Sequence, residues 1–172
     1  MHDISFIQAS TSDIPLIRTL ADTAFRHTYK DILCPEQMEW MMEWMYSEES
    51  LKGQIEGAGK HFLICFCDGT PCGYVSFEHE SDLPDGRPMY HLQKLYLLPQ
   101  FQRQGMGRTM VEKVKETLGA GYPGGFRIEL NVNRHNPSVQ FYESIGFHRD
   151  RQGDFPIGDG WYMNDYIYAY EQ

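Results

Sequence analysis

The chain has 172 residues, of which 41% are hydrophobic and 14% aromatic, enough for a globular core. Its net charge of −9, from 15 basic and 24 acidic residues, argues against nucleic acid as a partner and suits attraction of small cations. No apolar run reaches membrane length, and Met1-His-Asp-Ile-Ser-Phe does not read as a signal peptide, so a cytoplasmic location is expected. The four cysteines, Cys34, Cys65, Cys67 and Cys72, lack zinc spacing and read as free thiols with no metal.

Ile4 to Ala9 reads as a first strand. Thr11 or Ser12 then caps a helix with Pro15 in its first turn and Leu16, Ile17, Leu20, Ala24 and Phe25 at helical spacing. Pro35 opens a second helix with a stripe of Met38, Met41, Met42 and Met45, and Ser47 caps a further turn or two through Glu56. His61–Cys67 and Pro71–His79 form a hairpin about Asp68-Gly69. Ser81 to Pro88 reads as a loop, Leu92 to Leu98 as a strand ended by Pro99, and Met110, Val111, Val114 and Leu118 as one helix face. Gly119 to Gly125 reads as a flexible glycine-rich segment and Arg127 to Val132 as a strand. Asn136 caps a short helix with Pro137 first and Gly146 just past its end. Phe147 to Gln152 reads as a strand, Gly153 to Gly160 as a turn-rich loop and Trp161 to Tyr170 as an aromatic terminal strand. There is no repeat or linker, and one domain over residues 1–172 is expected.

Between the strand at 92–98 and the following helix stands Gln102-Arg-Gln-Gly-Met-Gly107. Glycines let several N–H groups converge, and a helix N-terminus adds unpaired donors and a positive dipole end, so the segment suits a pyrophosphate. It lacks the Gly-Lys-Ser/Thr ending of a P-loop and the third glycine of a dinucleotide fingerprint.

The loop resembles the Gln/Arg-x-x-Gly-x-Gly/Ala signature of the GCN5-related N-acetyltransferases. The stretch Asn136-Pro-Ser-Val-Gln-Phe-Tyr-Glu-Ser-Ile-Gly-Phe147 resembles that superfamily's second motif. The resemblance covers roughly residues 4 to 170. Phe25-Arg-His-Thr-Tyr-Lys30, Pro35-Glu-Gln-Met38 and Gly73-Tyr-Val75 are similar in texture to bacterial spermidine/diamine acetyltransferases of the PaiA type.

The resemblance implies an α/β fold: a mixed sheet of about seven strands flanked by about four helices, splayed between the strands at 92–98 and 127–132 to admit acetyl-CoA. It implies acetyl transfer to a primary amine of a small polyamine or diamine such as spermidine. The alternatives are a protein N-terminus or amino sugar as acceptor, or a non-catalytic acyl-CoA sensor. Implied coenzyme contacts are Leu95, Tyr96 and Leu97 on the strand; Gln102, Arg103, Gln104, Gly105, Met106, Gly107 and Arg108 in the loop; and Asn136 and Tyr142. Tyr142 is the candidate acid toward the thiolate.

Relatives often carry Glu where this chain has Gln93, which cannot take a proton at useful pH. Glu78, His79, His91, Glu129 and Asp165 are the candidate bases, directly or through water. Tyr29, Trp40, Trp44, Trp161 and Tyr162, with Glu39 and Glu43, are candidates for an acceptor cleft. A homodimer using the strand at 161–170 is expected from relatives; the alternative is that this strand pairs inside its own sheet.

Overall fold

Asp68 (φ 50°) and Gly69 (φ 80°) both adopt left-handed backbone conformations, the geometry of a two-residue hairpin turn. In the computed structural model, which describes residues 1–172, they join β2 (Lys60–Cys67) to β3 (Thr70–Asp82). Asp159 (φ 51°) and Gly160 (φ 77°) repeat the device between β6 (His148–Gly158) and β7 (Trp161–Glu171). The other strands are β1 (Ile4–Gln8), β4 (Pro88–Leu97) and β5 (Arg127–Asn133). The helices are α1 (Ile14–Tyr29), α2 (Pro35–Tyr46), α3 (Glu48–Ile55), α4 (Met106–Gly121) and α5 (Ser138–Ser144).

All seven strands form one sheet in the order β1-β2-β3-β4-β5-β7-β6. Every pairing is antiparallel except β4 with β5, which α4 connects as a crossover. Strand alternation divides the core. Phe62, Ile64 and Tyr74 face α1–α3, where they meet Ile17, Phe25, Met41, Tyr46 and Leu51. Leu63, Cys65, Val75 and Phe77 face the other side, with Met110, Val111, Val114 and Leu118 of α4 and Tyr142 of α5.

Several local expectations are corrected. Ser10, not Thr11 or Ser12, caps the first helical turn, and its amide donates to Asp13 Oδ2 at 2.8 Å. Residues 81–82 and 88 belong to β3 and β4, so the loop between them is shorter than Ser81 to Pro88. Gly119 and Gly121 lie within α4, which Leu118 anchors in the core. Residues 153–158 are strand, not loop. Here β6 is an outer strand whose side chains are mostly exposed, so it carries no hydrophobic alternation to read. The helices number five rather than about four, while Ser47 caps α3 as expected, accepting from the Ser50 amide at 3.2 Å. The terminal strand β7 lies inside the sheet between β5 and β6, which is the alternative reading, so it offers no edge to a second copy.

Candidate active site

Two features of the sheet build a gap in its middle. β4 and β5 pair only from Met89↔Arg127 to Leu92↔Leu130, after which they part. At the same point β4 bulges against β3: Phe77 faces Leu92, Ser76 faces Lys94, and Gln93 is the extra residue. Beyond the bulge the Leu98 amide donates to Cys72 O on the β3 side. Alternation then turns the backbone polar groups of Leu97 and Leu95 the other way, toward the gap.

The loop after β4 closes one end. Gln102 Nε2 donates to Leu97 O at 3.2 Å and ties the loop to the strand. Arg103 (φ 62°) and Gly105 (φ 81°) are left-handed, and Gly105 is the N-cap of α4. The first helical amide to pair back is that of Thr109, to Gly105 O at 3.2 Å. The amides of Gln104, Gly105, Met106, Gly107 and Arg108 find no acceptor within the chain. A row of free donors at the positive end of a 16-residue helix suits an anion such as a diphosphate. A side chain on Gly107 would meet the Phe141 ring at 3.2 Å, so glycine here lets α4 and α5 close on each other.

α5 forms the facing wall. Asn136 Oδ1 accepts from the Ser138 amide at 2.9 Å, which caps the first turn, and Gly146 (φ 98°) lets the chain leave after the last. The helix presents Tyr142 between Phe141 and Phe147, with ring centroids 5.2 and 5.8 Å away. Tyr142 is buried, yet its hydroxyl has no partner in the chain and the residue lines the cleft. Burial, and then the nearby Tyr29 phenol, push its pKa above the ordinary value for tyrosine, so it holds its proton at neutral pH.

The resulting cleft has a volume of about 1060 Å³. It brings together Leu95, Tyr96, Leu97, Gln102, Arg103, Gly105, Gly107, Arg108, Asn136 and Tyr142. Gln104 and Met106 do not line it: the Gln104 side chain turns back and its Nε2 donates to Gln100 O at 3.0 Å, and Met106 is buried in the core. Arg108 leans over α5, where its guanidinium donates to Ser144 O at 3.5 Å.

The candidate bases scatter. His79 and His91 pair with Asp82 (2.8 Å) and Glu80 (3.3 Å) away from the cleft. Glu129 also lies outside it. Burial would raise its pKa, but hydrogen bonds from Arg151 and Arg127 (2.9 and 2.8 Å) outweigh that and keep it below the usual carboxylate range. Glu78 accepts from Gln93 Nε2 at 3.2 Å. Asp165 sits behind the wall, with one oxygen on Asn131 Nδ2 at 3.2 Å and the other unpartnered. Burial raises its pKa, only partly opposed by Asn131 and Arg134. The cleft-lining groups able to accept a proton, missed in the sequence, are His27, Asp31 and His135. His135 stands beside the motif asparagine, which was the available signal.

Of the aromatic acceptor candidates only Tyr29 lines the main cleft. Trp40 and Trp44 pack together at 5.3 Å, and Trp44 borders a second, smaller cavity. Trp161 and Tyr162 border neither cavity, and Tyr162 is exposed. Glu39 pairs with Arg26, and neither it nor Glu43 lines either of these two cavities.

Residues 29–156 match the family model described as an acetyltransferase (GNAT) domain. An uncharacterized N-acetyltransferase of Lactobacillus delbrueckii subsp. lactis is 27% identical over 165 residues, 92% of each chain. A thialysine N-epsilon-acetyltransferase of Caenorhabditis elegans is 30% identical over 100 residues, 58% of this chain and 61% of that one. The crystal structure of a PaiA N-acetyltransferase from Thermoplasma acidophilum in complex with coenzyme A shares the fold, with a TM-score of 0.81 at 22% identity over 99% of each chain. The chain belongs to the GNAT acetyltransferases, and it is an N-acetyltransferase whose cosubstrate is acetyl-CoA.

Proposed function

We propose that residues 1–172 act as one cytoplasmic acetyltransferase domain on a small diamine or polyamine, such as spermidine. The carrying observation is that free amides at the start of α4, the diverging strands β4 and β5, and an unpartnered buried phenol all face one cleft. The small-amine reading is supported by Asp31 and the Tyr29 ring lining that cleft, by the net charge of −9, and by a relative named for acetylating the ε-amine of thialysine. The cytoplasmic reading rests on four free cysteines; no helix is long and apolar enough to cross a membrane.

Acetyl-CoA, when bound, supplies an acetyl group activated as a thioester. Amides of Gln104 to Arg108 hold its diphosphate, and the inward-turned backbone of Leu95 and Leu97 pairs with its extended arm as an added strand would. The acceptor amine loses a proton to a cleft-lining base or to water, since Gln93 takes none. Its nitrogen then bonds to the acetyl carbon as the carbon–sulfur bond breaks. Tyr142 donates its phenolic proton to the departing sulfur, a role its raised pKa permits.

The test is release of free thiol from acetyl-CoA across spermidine, simple diamines, amino-terminal peptides and aminoglycosides. Turnover with the diamines and spermidine is expected. Turnover confined to peptides or amino sugars contradicts the acceptor class, and coenzyme binding with no turnover on any amine contradicts catalysis itself.

A further inference from the structure

Across the β4 bulge lies the second cavity, of about 240 Å³, between α2–α3 and strands β2–β4. Gln93 lines both this cavity and the main cleft, so the two spaces adjoin at this residue.

The polar groups of the second cavity are incompletely matched. Lys94 is only 7% exposed, and no carboxylate is in ion-pair contact with it. Its Nζ donates to the neutral Gln54 Oε1 at 2.5 Å and lies 5.5 Å from the Tyr46 ring centroid. An ammonium carries three donors, so one neutral acceptor leaves it under-partnered. Burial draws its pKa down to about 8, which the charge of Glu78 opposes without restoring it. Directly opposite in the β3–β4 register is Ser76, 4% exposed, whose Oγ has no hydrogen-bond partner. A buried cation without a counter-ion and a buried hydroxyl without a partner, on two residues that line one cavity, together suit a carboxylate. At the rim Glu78 supplies the opposite charge.

We propose that this cavity is the carboxylate subsite of the acceptor, and that the preferred diamine is one bearing a carboxylate: a dibasic amino acid. Its carboxylate sits between Lys94 and Ser76, and its α-ammonium faces Glu78. Its distal amine passes Gln93 into the main cleft. The inference rests on the small-diamine reading above and narrows it.

Lys94 also ties α3 to the sheet through Gln54, and the test must separate that role from ligand binding. L-Lysine and 1,5-diaminopentane differ only by the carboxylate. The parent is expected to show the higher kcat/KM with lysine, and Lys94→Met to lower the lysine-to-diaminopentane ratio by about ten-fold or more, as expected for loss of a charge-assisted bond. Ser76→Ala lowers it less. The melting temperature of Lys94→Met stays level or rises, because a buried unpaired cation has been replaced by an apolar chain of similar shape. An equal loss with both amines, or a parent that prefers diaminopentane, overturns the subsite while leaving the small-diamine reading intact. A second readout is independent of turnover. In the CoA complex, the NMR signal of the Lys94 ε-carbon is expected to shift on adding lysine and not on adding diaminopentane. A shift with lysine and no turnover supports the subsite and counts against the proposed reaction; no shift with either compound overturns the subsite.

Discussion

At the scale of single residues, Tyr142 combines two properties that usually exclude each other: it is buried among Phe141 and Phe147, yet its hydroxyl is uncommitted. A core tyrosine normally spends its hydroxyl on a partner, as Tyr46 and Tyr74 do with each other at 2.7 Å. Leaving the hydroxyl free toward the cleft suits a proton donor. Tyr142→Phe removes only that atom, so folding and coenzyme affinity should persist while kcat falls by roughly 10²-fold, the lower end for a lost general acid. Single-turnover thiol release checks it, and an unchanged rate would assign the proton to water. Tyr142 was legible in the sequence because it sits at a motif position. Lys94 was not. Read as plain alternation, Leu92-Gln93-Lys94 is ordinary strand polarity, and only the bulge at Gln93 turns Lys94 under α3.

At the scale of elements, the coenzyme role proposed for the loop into α4 rests on backbone geometry. Gly105 at φ 81° has no neighbour within reach of an added Cβ, so a side chain there collides with nothing and acts through conformation and by filling the cleft. Forcing a β-branched residue into that left-handed position costs about 1–2 kcal/mol. Gly105→Val should therefore leave a folded protein with coenzyme affinity reduced at least ten-fold, measured by calorimetry with CoA. Undiminished affinity would mean that the amides of Gln104 to Arg108 do not hold the diphosphate. This loop and α5 were readable because caps, glycines and prolines act locally. The second half of β6 was not, because an outer-strand segment containing Gly153, Pro156 and Gly158 exists by virtue of pairing with β7, a long-range fact. The end of α4 was missed for a similar reason, since burial of Leu118 carries the helix through glycines that alone favour a turn.

At the scale of the whole molecule, the α1–α3 face of the sheet is filled with phenols, and its stability should depend on pH accordingly. Burial raises the pKa of Tyr46, Tyr74 and Tyr96 well above the ordinary value of about 10. Above that pH the unfolded chain releases these protons and the folded one keeps them. Stability therefore falls with rising pH, by up to about 1.4 kcal/mol per pH unit for each tyrosine. Lys94 acts in the opposite direction. Between about 8 and 10.5 the unfolded chain binds a proton that the folded chain does not, so this group adds stability as pH rises through that window. Melting temperatures across the alkaline range should hold or rise and then drop steeply, and Lys94→Met should abolish the rise while keeping the drop. A profile flat through pH 11 would mean that these phenols are hydrated. One mixed sheet of about seven strands followed from the two motifs and their resemblance. The second cavity did not, because it forms where α2, α3 and a β-bulge meet.

The measurement that bears most directly on the whole account is thiol release from acetyl-CoA with L-lysine, 1,5-diaminopentane and spermidine, run on the parent and on Tyr142→Phe. Turnover with small diamines that depends strongly on Tyr142 is expected. Bound coenzyme with no release on any of the three amines, or release indifferent to Tyr142, would contradict it.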